Sequence, residues 1–300
     1  MRKILITGAN GLLGQKLLAQ LSIAPDIDVV ATGRGTNRNP DGNYLYEKMD
    51  ATIEENIKNT LSLHQPNVVI HTAAMTQVDQ CENEKEECWK QNVTAVALLA
   101  SYCKQHNIFL VHLSTDFIFD GENGPYHEED KPNPVSYYGE SKLAAEKAIT
   151  DSGARAAILR TMLVYGIAHD MSRSNIILWV KNNLENNKHI KVVNDQWRMP
   201  TLAEDLAKGC VLAAEKEAEG VFNISGKDML TPYNMAIATA KFFSLDSSLI
   251  EEVDGSIFTQ TAKRPPKTGF DLTKSRKVLG YEPVTFEEGL ATLAEQIQKQ

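Results

Sequence analysis

Apolar and polar positions along this chain fall into blocks in which short buried-strand runs alternate with helical stretches. Arg2-Lys3-Ile4-Leu5-Ile6-Thr7 predicts a first strand, Val29-Val30-Ala31-Thr32 a second, Leu45 to Met49 a short third, and Val68-Val69-Ile70-His71 a fourth. Ile108-Phe109-Leu110-Val111-His112-Leu113 and Ala156-Ala157-Ile158-Leu159-Arg160 predict two more, with helices such as Lys16 to Leu21 between them. Strands separated by helices predict an α/β fold with a doubly wound parallel sheet and right-handed crossovers. Beyond Gly166 the order changes. Asn182-Asn183-Leu184-Glu185-Asn186-Asn187 reads as a polar turn, Val221-Phe222-Asn223-Ile224 as a strand returning to the sheet, and Phe286 to Gln300 as a final amphipathic helix.

The first strand runs straight into Gly8-Ala9-Asn10-Gly11-Leu12-Leu13-Gly14. One glycine at a strand end permits a tight turn, one at a helix start lets backbone approach a pyrophosphate, and a third lets helix and strand pack closely. An anion would sit at the helix N-terminus, where free N–H groups and the macrodipole favour it. The spacing of three and three differs from the two and three of the common dinucleotide fingerprint, and a turn without a ligand is the alternative.

Tyr138-Gly139-Glu140-Ser141-Lys142 places a tyrosine and a lysine four apart, on one helix face. A phenol alone titrates near pH ~10, and a neighbouring ammonium is expected to pull it toward the working range of a proton donor. The fifth strand delivers Ser114-Thr115-Asp116 to its C-terminal end, where open parallel sheets bind ligands. There a hydroxyl can hold a carbonyl while a tyrosine protonates it; the alternative is that Ser114 and Thr115 cap a turn.

Taken in this order, the Gly-x-x-Gly-x-x-Gly turn, the Ser-Thr-Asp strand end and the Tyr-x-x-x-Lys helix resemble the extended short-chain dehydrogenase/reductase superfamily. Within it the chain is similar to the dTDP-4-dehydrorhamnose reductase family. Ser114-Thr115-Asp116-Phe117-Ile118-Phe119-Asp120-Gly121 follows that family's Ser-Thr-Asp-aromatic-x-Phe-x-Gly signature, and Ala73-Ala74-Met75-Thr76-Gln77-Val78-Asp79 resembles a second. Asp195-Gln196 with Pro200-Thr201, and Arg264-Pro265 followed by Asp271, are similar to two later signatures.

The resemblance implies a Rossmann-type unit over residues 1–165 plus about 202–225, and a smaller C-terminal substrate lobe from about 166–201 and 226–300. It implies Thr115, Tyr138, Lys142 and Asn92 as catalytic groups, Asn92 standing near the proton path unless it is simply a polar surface residue. Gly8, Asn10, Gly11, Leu12, Gly14, Asp50, Ala73 and Ala74 would hold the cofactor, with Tyr138 and Lys142. Thr76, Val78, Thr115, Asp116, Phe117, Leu163 and Arg264 would meet the substrate. The implied reaction reduces a 4-keto nucleotide-activated deoxysugar. Three departures stand on the substrate side: Leu163 where the family often has tryptophan, Arg198 for a glycine, and Asn223 for a histidine.

Cofactor preference is argued from Gly33-Arg34-Gly35-Thr36-Asn37-Arg38 after the second strand. No carboxylate is there for a ribose 2′-hydroxyl, while Arg34, with Arg38 as a second, suits a 2′-phosphate. NADPH is therefore expected, with NADH as the alternative and a solvated arginine as the unspecific reading. A nucleotide-sugar epimerase or dehydratase recycling NAD, and a non-catalytic subunit similar to the beta subunit of methionine adenosyltransferase, are the rival functions.

Composition narrows the partners. Three hundred residues with 42% hydrophobic content suffice for a large core, and a net charge of −8 argues against a nucleic-acid binder. No long apolar run or signal-like start appears, so no membrane association and a cytoplasmic location are expected. The four cysteines form no Cys-x-x-Cys pair, which favours buried reduced thiols and no metal. Self-association into a homodimer is left open.

Overall fold

In the computed structural model, which describes residues 2–39, 42–170 and 174–299, the chain begins β1 (Arg2–Thr7), α1 (Leu12–Leu21), β2 (Ile27–Gly33), β3 (Leu45–Lys48), α2 (Glu54–His64) and β4 (Val68–His71). Two short helices, α3 (Val78–Asn83) and α4 (Lys85–Trp89), lead through a π-helical turn at Lys90–Thr94 into α5 (Ala95–Gln105) and β5 (Phe109–Thr115). A 3-10 turn at Asp116–Ile118 and a loop precede α6 (Tyr137–Ser152), β6 (Ala156–Thr161) and β7 (Val164–Tyr165). Then follow α7 (Ile176–Glu185), β8 (Ile190–Val193), β9 (Thr201–Leu202), α8 (Ala203–Lys216), β10 (Gly220–Asn223), α9 (Pro232–Phe242), β11 (Ile250–Val253), α10 (Thr273–Leu279) and α11 (Phe286–Gln298). Met1 and Gln300, the ends of the expected first and last segments, lie outside the described residues.

Seven parallel strands stand in the order β10-β6-β5-β4-β1-β2-β3. The order reverses between β1 and β4, which opens a crevice at the carboxyl ends of those strands. Period-two alternation explains why both faces are buried. Ile4, Ile6, Val29, Ala31, Val68, Ile70, Phe109 and Val111 point to one face, against Leu17, Leu21, Leu206 and Cys210 of α1 and α8. Leu5, Val30, Val69 and Leu110 point to the other, against Ile57, Leu99, Cys103 and Ile149 of α2, α5 and α6. The expected α/β class and the returning strand, here β10, are therefore both present. Cys81, Cys88, Cys103 and Cys210 are buried free thiols.

The C-terminal third departs from expectation at the asparagine-rich stretch. Asn182 to Glu185 are the last turn of α7, and only Asn186 and Asn187 form a turn. The Asn175 side chain caps the helix by accepting from the Ile177 and Leu178 N–H groups. Ile177, Val180 and Leu184 bury one stripe, the last two in a cluster with Ala236 and Ala240 of α9. Tertiary burial here outweighs the weak helix propensity of asparagine. A two-stranded sheet, β8 with β11, packs against the same helices. Among the described residues no helix is long and apolar enough to cross a membrane.

Candidate active site

Two adjoining cavities lie at the carboxyl ends of the strands. The first, about 780 Å³, is floored by the β1–α1 turn. Gly8 sits at φ +69°, where L side chains are rare, and a Cβ there would lie 2.7 Å from the Ala73 nitrogen. A Cβ on Gly14 would meet the Gly8 carbonyl at 2.4 Å, so helix and turn approach as closely as the glycine pattern predicts. Helix α1 consequently starts at Leu12 rather than near Lys16. Its N-cap, Gly11, supplies no side-chain cap and its first turn holds no acid, so its leading N–H groups face the cavity without a built-in anion.

Asn10 holds the neighbouring loop in place. Its amide nitrogen donates to the Thr36 carbonyl and the Tyr46 hydroxyl, both at 2.9 Å, and its oxygen accepts from the Arg38 N–H at 3.0 Å. Arg34 is exposed on the rim. Arg38 is engaged elsewhere, its guanidinium reaching the Asp170 carbonyl at 3.0 Å and the Asp170 carboxylate at 3.4 Å. Burial tends to raise the Asp50 carboxyl, but hydrogen bonds from Thr52 and the charge of Arg34 leave it below its ordinary value. Asp50, Ala73, Ala74 and Thr76 join Gly8, Asn10, Gly11, Leu12 and Arg34 in the lining. The turn, the open helix end and the rim arginine together fit a dinucleotide with an anionic middle and an anionic end.

The second cavity, about 490 Å³, is lined by Gly14, Val78, Thr115, Asp116, Phe117, Tyr138, Lys142 and Leu163 among others. Gly11, Leu12, Thr72, Ala74, Thr76 and Val164 line both cavities, so the two adjoin along a shared wall. Ser136 caps α6, and Tyr138 and Lys142 follow on its inward face, both buried. Gly139, which the sequence reading passed over, lets α6 approach the Asp116–Ile118 turn: a Cβ there would sit 2.1 Å from the Phe117 carbonyl. Its place inside the Tyr-x-x-x-Lys motif was the available signal. Phe117 meets the Tyr138 ring edge-on at 5.7 Å. Leu163, 40% exposed and at φ +39°, stands at the wall.

The electrostatics correct one expectation. Burial pushes the Tyr138 phenol above its ordinary value, a pull that the neighbouring Thr115 hydroxyl only partly offsets, so Lys142 does not bring the phenol down. Lys142 is itself lowered to about 8 by burial, against the opposing charge of Glu146. Its Nζ lies 3.3 Å from His112 Nε2, and His112 stacks on His71 at 5.5 Å. Both imidazoles are buried and held well below their ordinary range, so both are neutral at pH 7.

Three further expected groups are placed otherwise. Asn92 lines neither cavity and is fully buried, which removes the surface reading; its side chain accepts from the Met75 N–H (2.8 Å) and donates to the Met75 carbonyl (3.0 Å) and the Ser141 hydroxyl (3.1 Å). It thus pins the segment after β4 to α6. Arg264 is outside both linings, with Nη2 2.7 Å from the Asp79 carboxylate. Asp116 borders the second cavity, but its carboxylate accepts from the Thr115 and Thr268 hydroxyls and faces Arg198. The sequence reading noted Arg198 only as a departure from the family's glycine and passed over Thr268, because their partners lie far away in the chain.

Comparison with known proteins places these features in context. The family model described as the RmlD substrate binding domain matches residues 1–299. The methionine adenosyltransferase 2 subunit beta of Bos taurus is 32% identical over 278 residues, covering 91% of this chain and 81% of the relative. The probable low-salt glycan biosynthesis reductase Agl14 of Haloferax volcanii is 31% identical over 290 residues, 96% of each chain. A dTDP-4-dehydrorhamnose reductase from Clostridium acetobutylicum superposes with a TM-score of 0.88 at 29% identity, covering 99% of both chains.

Proposed function

Because the chain belongs to the RmlD substrate binding domain family, we propose that it reduces a 4-keto nucleotide-activated deoxysugar, with dTDP-4-dehydrorhamnose as substrate and NADPH as reductant. The observation that carries this reading is the wall shared by the two cavities, which sets a glycine-floored cleft suited to a dinucleotide beside Thr115, Tyr138 and Lys142. In this reading the α1 N-terminus takes the pyrophosphate, Arg34 the 2′-phosphate, and Asp50 stands beside the adenine. When bound, the nicotinamide supplies the hydride.

The protein's own groups manage the proton and the charge. Tyr138 keeps its proton at neutral pH because burial disfavours the phenolate, and it delivers that proton to the ketone oxygen as the carbonyl carbon becomes an alcohol. Lys142, cationic below about pH 8, stabilises the phenolate that remains and is held in place by His112. The Thr115 hydroxyl stands beside the phenol and helps to hold it. Phe117 and Leu163 shape the sugar pocket, with Thr76 and Val78 along its edge.

A second reading, a non-catalytic binding subunit, is favoured by the 32% identity to the methionine adenosyltransferase 2 subunit beta. The deciding experiment follows NADPH oxidation against dTDP-, GDP- and UDP-linked 4-keto sugars. Stoichiometric oxidation with one of them supports the reductase. Tight NADPH binding without oxidation by any of them overturns it in favour of the binding subunit, and sugar conversion without net cofactor consumption points to an epimerase or dehydratase.

A further inference from the structure

Arg198 is a buried cation with every face engaged. Its Nη1 donates to the Trp197 carbonyl at 2.7 Å and the Pro266 carbonyl at 3.3 Å, and its Nη2 donates to the Pro265 carbonyl at 2.6 Å. Its Nε lies 3.5 Å from Asp116 Oδ2, with side chains only 6% and 2% exposed, and its guanidinium lies 5.8 Å from the Phe117 ring centroid. Trp197 reinforces the same junction: its N–H donates to Pro266 and its carbonyl accepts from the Thr268 N–H. One side chain therefore joins the segment around residues 265–268 to the turn that carries Thr115, Asp116 and Phe117.

The consequence for the site runs through Asp116. Thr115 has one hydroxyl proton, and it is donated to Asp116 Oδ1 at 3.1 Å, while the hydroxyl oxygen accepts from the Phe117 N–H at 3.2 Å. The Thr115 hydroxyl is therefore fixed in place by two partners beside the Tyr138 phenol, whose pKa it helps to hold down. The other Asp116 oxygen accepts from Thr268 and faces Arg198, so both carboxylate oxygens are engaged within the protein. With glycine at position 198, as the family pattern has it, the carboxylate would lack its counter-ion.

We infer that Arg198 is a positioning residue: by anchoring the Asp116 carboxylate and tying residues 265–268 to it, Arg198 aims the Thr115 hydroxyl at the Tyr138 phenol. The effect falls on the chemical step, because reacting groups lose about 10²-fold in rate for displacements of about 1 Å. Arg198 lines neither cavity and lies away from the dinucleotide cleft, so cofactor affinity is independent of it. Lysine carries the charge but cannot supply the fork that reaches three carbonyls and a carboxylate together.

This inference rests on the reductase reading, and the test separates the two. Wild type, Arg198→Met, Arg198→Lys, Asp116→Asn and the Arg198→Met/Asp116→Asn double variant are compared for kcat and KM, NADPH affinity by fluorescence, and deuterium exchange over residues 262–268. Arg198→Met should lower kcat by roughly tenfold or more with NADPH affinity unchanged, Arg198→Lys should recover part of it, and the double variant should lose no more than the worse single one, as for residues acting as a unit. Unchanged kcat in Arg198→Met, or fully additive losses, would overturn the inference. Should Arg198→Met fail to fold, Thr268→Val, which removes one Asp116 partner, should lower kcat in the same direction, and no change in it counts against the inference. A wild type without turnover sinks the reductase reading alone. Binding of dTDP-rhamnose to the NADP⁺-loaded protein then decides the role of Arg198, with weakened binding and faster exchange in Arg198→Met supporting it and unchanged values refuting it.

Discussion

The first cavity is floored by a turn of closely packed backbone, whereas the second gathers buried polar side chains, and the two differ in what holds them. Around the β1–α1 turn, Gly8, Gly11 and Gly14 bring main chain against main chain, and the charges present, Arg34 and Arg38, sit at an exposed rim. Around α6, Tyr138, Lys142, Asp116 and Arg198 are all buried, and their partners are scattered from His112 to Thr268. A backbone site tolerates nearby side-chain changes but not added atoms. A buried polar site is sensitive to each partner, because a lost hydrogen bond leaves an uncompensated group in low dielectric.

The sharpest way to separate the two regions is Tyr138→Phe, the largest effect expected. It removes only the phenolic oxygen, so turnover should fall by about 10²- to 10⁴-fold, the usual worth of a positioned general acid, while NADPH affinity is preserved. Stopped-flow reduction alongside a fluorescence titration measures both. Equal losses in turnover and NADPH affinity would mean that the two cavities are not functionally distinct.

That contrast also explains what the sequence revealed. The strands of the sheet, the glycine turn and the Tyr-x-x-x-Lys face are local patterns, with period two, period three to four or fixed spacing, and a linear reading reaches them. The Arg198–Asp116 pair joins residues 82 positions apart, and nothing local to Arg198 distinguishes a buried counter-ion from a surface charge. For Asn92 the sequence left a group near the proton path and a polar surface residue equally open, because its Met75 and Ser141 partners come from two other segments. The asparagine-rich end of α7 misled for the opposite reason: its composition signals a turn, while its Ile177–Val180–Leu184 stripe and the Asn175 cap signal a helix. The rise in the Tyr138 pKa follows from burial depth, which four-residue spacing does not encode.

The next test exploits the cost of burying Lys142. Its folded value of about 8 lies below the ordinary 10.5, so the folded state binds its proton more weakly than the unfolded state. Below about pH 8 the lysine is charged in both states, and its burial destabilises the fold by on the order of 3 kcal/mol. As pH rises from there toward 10.5 the penalty fades, because the folded protein has already released the proton. Lys142→Met should therefore be more stable than wild type in urea at pH 7, with the gap narrowing by pH 10, yet catalytically impaired. Wild-type kcat/KM should fall as pH rises through about 8, and the variant should lose that limb. A variant less stable than wild type at pH 7 would show that the ammonium is well solvated or paired instead.

The smallest effect concerns the backbone-built cavity, where side chains matter least. Arg34 is exposed at its rim, and no side-chain hydrogen bond ties it down among the described residues, whereas Arg38 already reaches Asp170. If Arg34 reads the 2′-phosphate, Arg34→Ala should weaken NADPH by about 1 to 3 kcal/mol, the scale of a charge-assisted contact, and leave NADH nearly unchanged. Solvent screening at the rim places the value toward the lower end, and the loss should shrink further in high salt. Arg38→Ala should do less, since the Arg38 guanidinium is already engaged while its backbone N–H, held by Asn10, is retained. Parallel titrations of both nucleotides with both variants check this. Equal weakening of NADPH and NADH by Arg34→Ala would mean that the residue shapes the loop and does not recognise the phosphate, and that even the rim of this cavity is held by side chains.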